Sequence, residues 1–138
     1  MITIKSLQIK TSGEGLYEIT KEINTVLAKT KIDQGLVTVF IQHTSASLVI
    51  QENADPSAKR DLEYWLKKLV PPNDPGFTHT FEGPDDMPSH IKSALTQTSI
   101  GIPVINGEMC LGTWQGVYVW EHRTMAHNRS VIVQILGE

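Results

Sequence analysis

Apolar residues alternate with polar ones along most of this chain and fall at helical spacing in only two or three stretches, so the pattern predicts a β-rich fold with a few helices attached. Ile2 and Ile4, then Leu7 and Ile9, alternate on either side of a phase change at Ser6, which predicts an opening strand with a bulge. Ile19, Ile23, Val26 and Leu27 recur at helical spacing within residues 18–29 and end in polar residues before Gly35. Val37, Val39, Ile41 and His43 share one face of an alternating β-branched run, with His43 at its end. Residues 47–52 read as the next strand. Asp55 then supplies an N-cap and Pro56 the first helical position, where its missing N–H costs nothing. Ala58, Leu62, Trp65, Leu66 and Leu69 follow as the strongest apolar stripe in the chain.

The second half continues the alternation. Residues 71–76 form a proline-rich loop, and residues 77–81 resume an extended segment that delivers His79. Asp85 and Asp86 precede Pro88 and a short helix carrying Ile91 and Leu95, in which Asp86 and His90 are four residues apart and share a side. Asn106-Gly107 accepts positive φ at both positions, so residues 99–105 and 108–112 read as a hairpin. In residues 115–122, Val117, Val119 and Glu121 take one face and Tyr118, Trp120 and His122 the other. Residues 131–136 make a final, largely buried strand. The expected fold is α+β, a mostly antiparallel β-sandwich with two or three helices in a single domain over residues 1–138.

Composition narrows the partners. The net charge is −3, the pI is near 5.9 and no Lys/Arg run occurs, which argues against a general nucleic-acid or membrane-surface binder and leaves small ligands, anions included. Cys110 is the sole cysteine and cannot form an intramolecular disulfide; flanked by Met109 and Leu111, it reads as a small buried hydrophobe. No signal-like segment opens the sequence and no stretch approaches the ~20 apolar residues of a membrane span, so a cytoplasmic protein is expected. Asn128-Arg129-Ser130 matches a glycosylation triplet by chance.

Candidate chemistry gathers around histidine. Four of the five histidines stand beside acidic, amide or hydroxyl residues: His43, His79, His90 and His122. Neutral imidazoles suit zinc, which in catalytic sites takes three protein ligands and keeps one position open, although these separations match no compact zinc motif. Asp85-Asp86 offers carboxylate oxygens to a magnesium ion; the alternative is that Asp86 caps the helix and Asp85 is solvated. Thr44, Ser45 and Ser47 suit oxyanion binding better than covalent catalysis, because the chain has no G-x-S-x-G elbow. Gly112-Thr113-Trp114-Gln115-Gly116 lacks the P-loop ending and reads either as a ligand-approaching loop or as a tight bend with Trp114 in the core. Arg123 offers a planar fork for a phosphate or, alternatively, for a carboxylate of the protein. Trp65 and Trp120 are most economically core residues.

Several strings occur here in one order. His43-Thr-Ser-Ala-Ser, Gln51-Glu-Asn-Ala-Asp-Pro56, Glu82-Gly-Pro-Asp-Asp-Met-Pro-Ser-His-Ile-Lys92, Gly112-Thr-Trp-Gln-Gly116 and Glu121-His-Arg123 resemble the YjbQ-like family, also called secondary thiamine-phosphate synthases, over nearly the whole chain. The resemblance implies a YjbQ-like fold and a homotrimer. It also implies an enzyme for small phosphorylated metabolites that joins a hydroxymethylpyrimidine diphosphate to a thiazole phosphate and releases pyrophosphate. With it, His43, Asp86, His90, Glu121 and Arg123 are the candidate catalytic residues, and Thr44, Ser45, Asn53, Thr113, Gln115 and Arg123 the candidate substrate contacts. His43, His79, His90, His122 and Asp85 are the candidate ligands of a divalent metal, zinc first and magnesium second. A zinc-dependent hydrolase of a small phosphate or amide compound and a non-catalytic metabolite-binding module are the competing expectations.

Overall fold

Two antiparallel sheets face each other. The computed structural model describes residues 1–138, with strands β1 (Ile2–Thr11), β2 (Gly15–Glu18), β3 (Gly35–Ile41), β4 (Ala46–Glu52), β5 (Ser99–Ile105), β6 (Glu108–Met109), β7 (Gln115–Glu121) and β8 (His127–Gly137). The helices are α1 (Thr20–Thr30), α2 (Pro56–Leu69) and α3 (Asp86–Leu95). One sheet runs β1-β8-β3-β5-β6 and the other β2-β7-β4, every pair antiparallel, so the fold is the expected α+β sandwich.

Alternation sets the core. Val37, Val39 and Ile41 of β3, Val131, Val133 and Ile135 of β8, and Ile100, Ile102 and Val104 of β5 point inward, meeting Val117 and Val119 of β7 and the α1 residues Ile23, Val26 and Leu27. The opposite face of β7 carries Tyr118 and Trp120, which pack with Leu16 and Leu66 of α2 into a second cluster. With helices on that side, both faces of β7 are covered, and every residue from Gly116 to Glu121 is buried. The sequence expectation of two opposed β7 faces holds residue by residue. The hairpin also forms, with φ of 54° at Asn106 and 76° at Gly107.

Four expectations are corrected. β1 has no bulge: its register with β8 is unbroken from Ile2 opposite Leu136 to Thr11 opposite His127. The phase change instead marks Ile2 and Ile4 as outward residues on the sheet face that no helix covers, while Leu7 and Ile9 pack against the core. In α2 only Leu66 is fully buried; Trp65 and Leu69 are more than half exposed, because the helix lies on a narrow three-stranded sheet that receives little more than one row of side chains. Residues 77–80 form no strand, although they still carry His79 to α3. Cys110, just beyond the two-residue β6, is exposed. No helix is long and apolar enough to cross a membrane.

Candidate functional site

The site gathers around residues 43–47, between the end of β3 and the start of β4. The Asp55 carboxylate caps α2 through the Ser57 N–H at 2.9 Å, as the sequence indicates, whereas the Asp86 side chain is not spent on capping α3. One turn along α3, Asp86 and His90 meet on the same side, with His90 Nε2 at 3.1 Å from Asp86 Oδ2. His79 Nε2 approaches the same oxygen at 2.6 Å. One ligand atom from each of these three residues lies within 4.8 Å of the others. Arg123 Nη1 donates to the other Asp86 oxygen at 2.6 Å and Nε to Asp85 Oδ2 at 2.9 Å. Burial raises the cost of ionising Asp86, but hydrogen bonds and charge from His79, Arg123 and His90 outweigh it, so its pKa is lowered.

His90 adds a constraint. Its Nδ1 lies 2.9 Å from the Thr44 carbonyl oxygen, which only accepts, so Nδ1 carries the proton. In a neutral ring Nε2 then turns a lone pair toward the Asp86 carboxylate, an arrangement that needs either a second ring proton or a cation between the two atoms. Metal-binding histidines commonly have this arrangement, one nitrogen toward the metal and the other donating to a backbone carbonyl.

His43 and His122 are engaged elsewhere. The Ser130 N–H donates to His43 Nε2 at 2.8 Å, and Arg129 Nη1 stands 3.4 Å from Nδ1, so protein donors face both ring nitrogens. Burial and then the charge of Arg129 push the His43 pKa below its ordinary value. His122 is 1% exposed, and its Nε2 pairs with Ser47 Oγ at 2.8 Å. Burial, followed by the charge of Lys92, lowers its pKa to about 3, so the ring is neutral. The expected meeting of four histidines therefore resolves, within one chain, into a His79–Asp86–His90 cluster and two separately anchored rings. The 43–47 string links them: the Thr44 carbonyl serves His90, the Ser45 carbonyl serves the His122 N–H and Arg129, and Ser47 serves His122.

Other candidates take definite places. Asp85 accepts from Arg123, the Thr124 N–H and the Thr124 hydroxyl, so it fixes the 123–124 turn and stands outside the metal-type cluster. Arg123 also donates to the Glu82 carbonyl, so the protein's own oxygens hold its fork and the carboxylate alternative describes it. Glu121 is fully buried and accepts from Arg129, Thr11, and the N–H groups of His122 and Arg123. That saturation makes it an anchor between the sheets and leaves no lone pair for acid–base work. Ser45 contributes its carbonyl, while Thr44 stands exposed at the rim.

Asn53, Thr113 and Gln115 lie at the far end. Glu52 pairs with Gln115 at one end of the β4–β7 ladder and Ala46 with Glu121 at the other, six residues away, or about 20 Å at ~3.3 Å per residue. There Asn53 donates to Glu18, and Gln115 Oε1 accepts the Gly112 N–H, closing a tight bend that leaves Trp114 exposed at 62%. Sequence reasoning missed Arg129 and Lys92. Arg129 shares the inward parity of Val131, Val133 and Ile135, and Lys92 stands three residues from buried Ser89. Parity and helical spacing were the available signals.

An antiparallel two-sheet sandwich whose short helix α3 and the loop before it bring together a histidine–carboxylate cluster defines the class. The chain belongs to the family described as UPF0047 protein YjbQ-like, which matches residues 5–138. It is 51% identical to the UPF0047 protein sll1880 of Synechocystis, over 96% of this chain and 90% of that protein. It is 41% identical to the UPF0047 protein YjbQ of Escherichia coli O157:H7, over 97% of each. Its fold matches the crystal structure of an uncharacterized conserved protein of the yjbq/upf0047 family from Clostridium acetobutylicum with a TM-score of 0.88, at 34% identity, covering 96% of this chain and 99% of that one.

Proposed function

We propose that this protein is a metal-dependent enzyme acting on a small phosphorylated metabolite, with His79, Asp86 and His90 holding a zinc ion. The observation that carries the reading is the three-residue cluster itself: two imidazoles and a carboxylate with ligand atoms within 4.8 Å, with His90 Nε2 turned toward Asp86 at 3.1 Å and its Nδ1 held by the Thr44 carbonyl. This nitrogen-rich donor set suits zinc better than magnesium, and Arg123 already clamps the Asp85–Asp86 pair. Bound there, zinc would supply Lewis-acid polarisation of a phosphoryl oxygen or of water. The protein's own part is to hold Asp86 ionised through Arg123, to fix the His90 tautomer through Thr44, and to leave His79 and His90 partly open to solvent.

The reaction implied by the motif resemblance is coupling of hydroxymethylpyrimidine diphosphate to thiazole phosphate with release of pyrophosphate. The donor set favours a second reading, zinc-dependent hydrolysis of a small phosphate or amide compound, because three protein ligands leave a coordination position free. Protein purified without chelators is expected to carry about one zinc per chain, and His90→Ala to lose most of it while its circular dichroism is unchanged. Wild-type protein that binds no divalent metal, or His90→Ala protein that keeps it, would overturn the proposal. Turnover of the two phosphorylated substrates, absent in His90→Ala, supports the synthase reading; hydrolysis of a phosphate or amide panel supports the second. Binding without turnover indicates a metabolite-binding module.

The assembly proposed is a homotrimer, built on the bare face of the five-stranded sheet. Ile2, Leu136 and Leu36 lie side by side across β1, β8 and β3, and they, Ile4 and Phe40 are 41–63% exposed, an apolar patch that a monomer would leave in water. Light scattering is expected to give three times the chain mass, and Leu136→Lys to shift it toward the monomer. A wild-type monomer at micromolar concentration would rule this out.

A further inference from the structure

Lys92 takes no part in the proposed chemistry. It stands two residues beyond His90, about 200° around the helix at ~100° per residue, and so faces away from the His79–Asp86–His90 cluster. The residue is 4% exposed, yet its ammonium makes no hydrogen bond; the Glu14 carboxylate stands at 3.8 Å. The side chain is largely buried, and its ammonium, which has no protein hydrogen-bond partner, is left to water or a ligand in the cavity it lines. Lys92 lines a cavity of about 260 Å³ whose walls include Glu14, Glu63, Tyr64, Lys67 and Trp120, with neutral His122 at its base. A neighbouring cavity of about 400 Å³ shares Glu14, Lys67 and Lys92 and reaches Asp85 and Arg123.

Glu14 explains how the cation is tolerated. Its carboxylate stands between two ammonium groups, 3.8 Å from Lys92 and 3.7 Å from Lys67, outside hydrogen-bond distance of either. The loop that holds it there is bracketed by Gly13 at φ 135° and Gly15 at φ 148°, conformations that side-chain-bearing residues rarely adopt. Of the other two wall carboxylates, Glu63 is spent on the Leu16 N–H at 2.8 Å and Glu121 on Arg129.

We infer that this cavity is a second binding site, for a small organic anion whose carboxylate or phosphate oxygens take the ammonium groups of Lys92 and Lys67. The rings of Trp120 and Tyr64 border its apolar part, and Glu14 is the internal anion that the ligand displaces. Oxyanions form charge-assisted hydrogen bonds with ammonium groups at ~2.8 Å, contacts that Glu14 at its longer distances does not make.

Titration of the full-length protein with inorganic phosphate and with benzoate, followed calorimetrically and through the Trp120 indole N–H resonance, tests the assignment. Saturable binding that shifts Trp120 is expected with at least one probe; phosphate alone indicates a phosphorylated ligand and benzoate alone a carboxylate. Lys92→Met should weaken that binding about tenfold or more, the effect of losing a hydrogen bond to a charged group. Lys92→Arg should retain it, and Glu14→Gln should strengthen it severalfold by removing the competing anion. The inference fails if neither probe saturates wild-type or Glu14→Gln protein, if Lys92→Met binds as tightly as wild type, or if Glu14→Gln weakens binding. Should Lys92→Met not fold, the Glu14→Gln result decides the matter.

Discussion

Replacing Arg129 by Met is expected to destabilise the protein by about 3–5 kcal/mol, the usual consequence of removing one partner from a buried ion pair. Arg129 is 3% exposed and grips both oxygens of the fully buried Glu121, Nε at 2.7 Å from Oε1 and Nη2 against Oε2. Without the guanidinium, a carboxylate remains inside the sandwich with only Thr11 and two backbone N–H groups as donors. The loss should be general, because the pair ties β8 to β7 across the two sheets and also holds the Ser45 carbonyl. Folded proteins are stable by only ~5–15 kcal/mol, so the variant should sit near the edge of folding. Urea unfolding should show a lower midpoint with an unchanged slope. A second substitution, Glu121→Leu in the Arg129→Met background, should recover part of the loss, because no unpaired charge then remains buried. A loss below about 1 kcal/mol for Arg129→Met would show that the pair contributes little net stability.

The strands were legible because one sheet face is buried and the period is two. Val37, Val39 and Ile41, like Val117 and Val119, declare their inward face by alternation alone, and Asn106-Gly107 declares its turn through positive φ. β1 misled because its first half is apolar on the outward side, a pattern that alternation within one chain reads as a bulge. The α2 stripe misled for a related reason: spacing shows which helix face is apolar but not how wide a surface waits to receive it.

The site was legible in part. Asp86 and His90 were paired by the four-residue spacing, and the structure adds His79 through a loop whose path no periodicity reveals. Nothing in the spacing of His43 or His122 says that a backbone N–H and a serine hydroxyl already hold those rings. Arg123 and Arg129 show the same limit. Both have the fork that would suit a phosphate, and which of them meets a carboxylate depends on long-range strand register.

Stability is expected to fall steadily as pH is lowered from 7 to 4.5, and His122 supplies the largest single contribution to that slope. Its pKa is lowered from the ordinary 6.5 to about 3 by burial and, next, by the charge of Lys92. A base depressed in the folded state binds fewer protons there than in the unfolded chain at any pH between those two values, so stability rises with pH across that window. The contribution is complete above pH 6.5 and disappears as pH falls through about 3. At pH 4.5, two units below the ordinary value, it should have cost about 3 kcal/mol at ~1.4 kcal/mol per unit. His43, also depressed by burial and by Arg129, acts in the same direction. Asp85, Asp86 and Glu121 add to the loss only at lower pH. Their folded pKa values are depressed, so the stability they lend is present above the ordinary carboxyl range and is lost as pH drops through it. His122→Gln, which keeps a polar group facing Ser47 without a titrating one, should flatten the profile between pH 6.5 and 4.5 while leaving the fall below pH 4. Urea unfolding at pH 7.0, 5.5 and 4.5 on both proteins reads this directly. A wild-type profile that is level over that range, or a His122→Gln profile as steep as the wild type's, would show that the buried imidazole does not set the acid limit of this fold.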